Sequence, residues 1–182
     1  MDDNLEEPNS HNDEDDTSVI VIDLRNDIIY HYLLRLRHHE DVLGIVLKGH
    51  LLIEYVLNKI IERQFRDSKG MLTDHRSFTF SVKLQMLYAS HNLPEYLYRN
   101  IRNINKIRNQ VAHNLDVDFD SVDFVFHKSD GETINLREAA IKRMNPTRYV
   151  VRLLCHGTLS ELQLYYAMQF KELPMKDRDP YK

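Results

Sequence analysis

Residues 41–65 read DVLGIVLKGHLLIEYVLNKIIERQF, with Leu43, Leu47, Leu51, Glu54/Tyr55, Asn58 and Ile61/Glu62 recurring every three or four residues. That spacing, in a segment rich in Leu, Lys and Glu, predicts an α-helix from about Asp41 to Phe65, closing near Gly70 with Arg63 and Arg66 in its last turns. Val42 to Ile61 is the most apolar part of the chain. Lys48, His50, Glu54, Asn58 and Lys59 interrupt it, and a lipid-spanning helix would bury them at high cost, so the segment is not expected to cross a membrane.

Downstream, Ser77 to Ala89 (SFTFSVKLQMLYA) repeats the pattern, with Phe80, Leu84, Leu87 and Tyr88 on one side. Pro94 followed by Glu95 is a helix opening, because a proline in the first turn forfeits no needed hydrogen bond. The helix it opens is expected to run to about Ala112, with an apolar stripe of Leu97, Ile101, Ile104 and Val111 in which Arg108 fills the place of a leucine. Val117 to Phe126 (VDFDSVDFVF) then alternates polar with apolar residues, Lys128 to Gly131 has turn chemistry, and Thr133 to Leu136 resumes, which predicts a small hairpin. Tyr149 to Leu173 is read as a central core helix, apolar on several sides through Val150, Leu154, Leu159, Leu162, Tyr166 and Met168. Upstream, Val19 to Ile22 suits a short strand and Ile28 to His39 a first helix.

Of 182 residues, 42% are apolar and 29% charged, and five Gly with five Pro favour long regular elements over many turns. The expected architecture is mainly α: a helical bundle of about five helices with a small β-hairpin-like insertion. One domain is expected over residues 17–175, between a disordered acidic tail (residues 1–16) and a frayed end (176–182). Cys155 is the single cysteine, so no internal disulfide forms, and no secretory pattern opens the chain; a reducing, cytoplasmic setting is expected. The net charge of -4 is unevenly spread. Eight acids and no Lys or Arg lie in the first 16 residues, leaving 24 basic against 20 acidic groups, a formal +4, on the remainder. An anionic partner is therefore compatible with the body of the protein.

Phosphate-binding glycine loops, CxxC pairs, GxSxG and HExxH are absent from the sequence. The ten histidines are scattered. His50 and Glu54 stand one helical turn apart with no third ligand nearby, so neither a metal site nor a cofactor is expected. Cys155, beside His156 in an apolar helix, reads as a buried structural thiol. Arg99, Arg102 and Lys106 form a basic ridge that Asn109 and His113 continue, ending in Arg108-Asn-Gln-Val-Ala-His113. A ridge of this kind is often no more than a solvated helix face. It also suits RNA, and an imidazole with a guanidinium suffices to cleave RNA: the first takes the 2′-hydroxyl proton and the second holds charge on the phosphoryl oxygens. On one straight helix, however, five residues at about 100° each put Arg108 and His113 some 140° apart, while Asn109 and His113 share a face. Either the helix ends near His113 or a second copy of the chain completes the site.

The string RNQVAH at a helix end, after a helix of the form KGHLLIEYVLNKIIE, resembles the HEPN superfamily. Its pairing with FSVKLQMLYA looks like the mannitol operon repressor (MltR-like) branch. The resemblance spans about residues 41–115 and implies a homodimeric helical bundle with metal-independent ribonuclease activity of the toxin or phage-defence kind. A cognate antitoxin or regulatory protein is an implied partner. By motif match Arg108, Asn109 and His113 take the site roles, and Glu54 matches a recurrent acidic position that would orient Arg108. Two other readings stand beside it: a non-catalytic, MltR-like transcriptional regulator or interaction module, and a structural dimer with an Arg108–Glu54 ion pair and His113 capping its helix. The acidic head is expected to compete with RNA for the basic surface.

Overall fold

The computed structural model describes residues 41–113, 119, 122 and 124–171. The strand expected at Val19 to Ile22, the helix expected at Ile28 to His39, the acidic head and the chain end at 176–182 lie outside them. Within the described residues the protein is mainly helical, with six helices and one small antiparallel sheet: α1 (Val42–Gln64), α2 (Ser68–Thr73), α3 (Phe80–Ala89), α4 (Glu95–His113), β1 (Val125–His127), β2 (Thr133–Asn135), α5 (Leu136–Ala140) and α6 (Pro146–Phe170). No helix among them is long and apolar enough to cross a membrane.

Asp41 starts α1 by accepting the Gly44 N–H on its carboxylate at 2.7 Å, the ordinary way to satisfy an orphan donor of a first turn. The helix packs against α3, α4 and α6, and that sandwiching decides which side is buried. Ile45, Val46, Gly49, Ile53, Val56, Leu57, Ile60 and Ile61 face inward. The row Leu43, Leu47, Leu51 falls on the outer side instead, with Leu51 63% exposed. Both rows repeat at helical spacing; the Ile/Val row is the one that flanks Gly49, where α1 and α6 approach closely. A Cβ at Gly49 would stand 2.9 Å from Cys155 Sγ. Gly70, expected to close this helix, lies inside α2, and Phe65 is the cap.

The Pro94 carbonyl accepts the Tyr98 N–H at 3.0 Å, so the proline is the residue that introduces α4. The helix buries Leu97, Asn100, Ile101, Ile104 and Ile107. The leucine-like place thought to be taken by Arg108 is thus Ile107, and Arg108 stands on the flank of the stripe, half-buried. α6 begins three residues before the expected Tyr149, because Asn145 accepts the Arg148 N–H at 3.1 Å and Pro146 follows at the first helical position. Its ten buried residues include Val150, Leu154, Cys155, Leu159, Leu162 and Tyr166. Met168, by contrast, is exposed.

A hairpin is present: β1 and β2 pair antiparallel with Phe126 opposite Ile134, while most of the expected first arm before Phe124 lies outside the described residues. Phe124 and Lys128 bond toward the β2 side, through Leu136 N–H and Glu132 C=O. Alternation therefore turns the main-chain groups of Val125 and His127 to the other edge. That edge meets α4. The Asn100 side chain, fully buried, donates to His127 C=O at 2.8 Å and accepts from His127 N–H at 2.8 Å. Asn103 donates to Val125 C=O at 3.4 Å. Two amides one turn apart on a helix thus stand in for a third strand and fasten the hairpin to α4.

Candidate functional site

Arg108, Asn109 and Glu54 converge on one open cleft of about 380 Å³, between α1, the start of α3 and the C-terminal half of α4. His50, Lys83 and Asn105 line the same cleft. α4 stays helical through this region to His113, its last residue. The position of His113 one turn beyond Asn109 is therefore settled; its side chain lies outside the described residues. α4 ends at His113, whose position lies about 140° from Arg108 around the axis, so a helix that ends there and a second copy that completes the site both stay compatible with the spacing.

Glu54 makes a 2.7 Å ion pair with Lys83. The pairing expected for it was with Arg108, and the reason for the change is burial: the Lys83 side chain is 5% exposed and draws the nearest carboxylate to compensate its charge. The reading as an Arg108–Glu54 structural pair falls with it. Arg108 instead donates from Nη1 to Asn109 Oδ1 at 3.0 Å, and its Nε is buried with no hydrogen-bond partner among the described residues.

His50 is 7% exposed, packed on the Phe80 ring at 4.0 Å between centroids. Its Nε2 hydrogen-bonds to Asn105 Oδ1 at 3.1 Å. Since that oxygen only accepts, Nε2 carries the proton and the lone pair of the neutral ring is on Nδ1. Burial holds its pKa below the ordinary histidine value; the Asn105 bond and Glu54 act upward, and the nearby Arg108 guanidinium acts downward. Asn105 in turn donates to Ser81 Oγ at 3.3 Å. The His50–Asn105–Ser81 chain was not visible in the sequence, where His50 showed only its metal-like spacing from Glu54. In the fold both residues of that pair are committed elsewhere, and no group of three His, Cys, Asp or Glu side chains suited to a metal ion occurs among the described residues. Cys155 is buried, and desolvation pushes its thiol up to about 12, which makes it inert near neutral pH.

Arg99, Arg102 and Lys106 are exposed along α4, with Arg99 paired to Glu95 at 2.5 Å. All three line a second, larger groove of about 820 Å³ together with Tyr98 and His127. Groove and cleft meet: Ser81, Asn105 and Asn109 line both. The ridge thus leads to Arg108 along a continuous surface, one wall of which is fixed by the Asn100 clamp on the hairpin. Comparison of the chain with protein-family models, with curated proteins and with solved structures finds no match.

Proposed function

We propose that the protein is a metal-independent endoribonuclease of the HEPN type, acting as a homodimer in the cytoplasm as a toxin or defence effector. One observation supports this reading above the others: Arg108 and Asn109 line a cleft that opens onto the basic groove of Arg99, Arg102 and Lys106. A single strand of RNA laid along that groove brings a phosphate to the guanidinium.

In this reading the His113 imidazole removes the 2′-hydroxyl proton of the nucleotide. The freed oxygen attacks the adjacent phosphorus, the P–O5′ bond breaks, and the departing 5′-oxygen takes a proton, leaving a 2′,3′-cyclic phosphate and a 5′-hydroxyl. Arg108 holds the charge that builds on the phosphoryl oxygens, and its planar, permanently charged fork suits that task. Asn109 orients Arg108 through the 3.0 Å bond. His113 stands one turn beyond Asn109 on α4 and is supplied by the same or the other protomer.

The test is cleavage of RNA in the presence of a divalent-metal chelator. Wild-type protein is expected to cut; His113→Ala should lose about 10²–10⁴-fold and Arg108→Ala about 10²–10³-fold, with RNA affinity retained in the first. Undiminished cleavage by His113→Ala removes the proposed base. RNA binding by the wild type without turnover makes the protein the non-catalytic, MltR-like regulator instead.

A further inference from the structure

We propose that the turn between α5 and α6 docks the protein on the surface of a bilayer rich in anionic phospholipid, with Ile141 and Met144 entering the acyl boundary. The inference is independent of the ribonuclease reading and uses none of its residues.

Two observations meet at this turn, and the first is apolar surface. Residues 141–145 (IKRMN) are all exposed. Met144 is wholly exposed and Ile141 77% exposed, the two highest values among the large hydrophobic side chains described. The turn itself is held at both ends. Arg143 donates its N–H to the carbonyl of fully buried Ala140 at 2.9 Å, and Asn145 caps α6 by accepting the Arg148 N–H at 3.1 Å. Two apolar tips are thus presented to water on a fixed support.

The second observation is charge. Residues 137–152 carry Arg137, Lys142, Arg143, Arg148 and Arg152 against the single acid Glu138, a formal +4. That equals the charge of the whole body, residues 17–182, so the rest of the body has as many acids as bases. The positive excess is therefore concentrated at this turn. Arg137 is committed inward, donating to the main-chain carbonyls of Phe119 and Val122. The other four border the turn: Lys142 and Arg143 lie on it, and Arg148 and Arg152 stand one turn apart at the start of α6. Tyr149 lies among them, with the Arg143 and Arg152 guanidinium carbons 4.6 and 5.8 Å from its ring centre.

A bilayer with anionic headgroups answers both observations. The cations meet lipid phosphates, the apolar tips leave water, and a tyrosine suits headgroup depth because one end of it is apolar and the other polar. Nucleic acid would engage the cations through its phosphates and leave both tips in water. A protein partner needs about 800 Å² on each side for a stable interface, more than two tips on a turn supply.

The chain has no tryptophan, so Met144→Trp sets a single reporting indole on the turn. Full-length protein is floated with vesicles of phosphatidylcholine alone and of phosphatidylcholine mixed with phosphatidylserine. Wild type and Met144→Trp are expected to float with the mixed vesicles only, and less as salt rises past ~0.15 M. The indole emission should move to the blue on the mixed vesicles. The double change Ile141→Ser with Met144→Ser should weaken binding about tenfold or more for each residue, and Lys142→Gln about fivefold; the exposure of all three positions predicts unchanged thermal melts. Absence of flotation, equal flotation with both kinds of vesicle, flotation with unshifted emission, or undiminished binding by the double serine variant each overturns the proposal. Absence of flotation together with RNA binding that the double serine change weakens would reassign the turn to nucleic acid.

Discussion

His50 and Lys83 are the two titratable side chains that the fold buries beside the cleft. His50 stays neutral, with its pKa lowered first by desolvation. In the unfolded chain it takes up a proton near the ordinary histidine value of about 6.5, whereas in the fold it does so only at lower pH. The unfolded state therefore binds more protons through this window, and the contribution of neutral His50 to stability is present above about pH 6.5 and is lost as the pH falls toward its folded value. Thermal melts from pH 7.5 to 5.5 should show the wild type losing stability on acidification. His50→Gln, which keeps a donor for Asn105 and cannot titrate, should start lower and lose less; parallel curves for the two proteins would show that His50 is not the group responsible. Lys83 is paired to Glu54 at 2.7 Å, and removing the carboxylate leaves the buried Lys83 side chain without that partner. Glu54→Ala is expected to cost about 3 kcal/mol or more in urea unfolding, while the double change Glu54→Leu with Lys83→Met comes back close to wild type, because it removes both charges together. A single variant no worse than the double one would mean that water reaches the ammonium in the fold.

The Asn100 clamp joins α4 to β1, and it bears on the groove because His127 forms part of the wall. Asn100→Ala removes both bonds to the His127 main chain, at about 1–3 kcal/mol for each group. Asn100→Asp retains the shape but sets a carboxylate oxygen against the His127 carbonyl, so it should be the more damaging of the two near neutral pH. Urea unfolding measures the loss, and accelerated hydrogen exchange at the His127 amide localises it; exchange unchanged at that amide would show that the hairpin holds without the clamp. The clamp also marks the boundary of what a linear reading reaches. The limits of α1 and α4 were legible, because Asp41 and Pro94 are local signals and the apolar period is sustained. Which side of α1 is buried was not, since the Leu row and the Ile/Val row repeat alike and the close approach of α6 at Gly49 is a tertiary fact. Arg108 and Asn109 were singled out by their neighbourhood in sequence, and the fold sets both on one cleft. His50–Asn105 and Glu54–Lys83 join residues 55 and 29 positions apart, and no local pattern encodes such pairs. The same distance explains why Glu54 was matched to the wrong cation: Arg108 was the salient charge in the motif, and the burial of Lys83 appears only when α3 is laid against α1.

Charge and assembly belong to the molecule as a whole. The first 16 residues carry eight acids and enter here by charge alone. If they oppose RNA at the Arg99, Arg102 and Lys106 surface, a chain lacking residues 1–16 should bind RNA more tightly at low salt, with the gain fading as ionic strength rises past ~0.15 M and the Debye length shrinks to about 8 Å. Equal affinities at every salt concentration reduce the head to a solubility segment. Assembly carries the stricter test of the ribonuclease reading, because Arg108 and His113 hold positions about 140° apart on α4. If each site takes Arg108 from one protomer and His113 from the other, then Arg108→Ala and His113→Ala proteins, each inactive alone, complement when mixed and allowed to exchange subunits. In the mixed dimer one site collects both altered residues and the other collects both native ones. Half the dimers are then mixed and half of their sites are intact, so about a quarter of the wild-type rate should return. A site that draws both residues from one chain has no intact copy in such a dimer, and mixing restores nothing. Recovery therefore reports the geometry of the site itself, independently of which RNA is cut, and a mixture that exchanges subunits yet stays inactive excludes a shared cleft as the place of the chemistry.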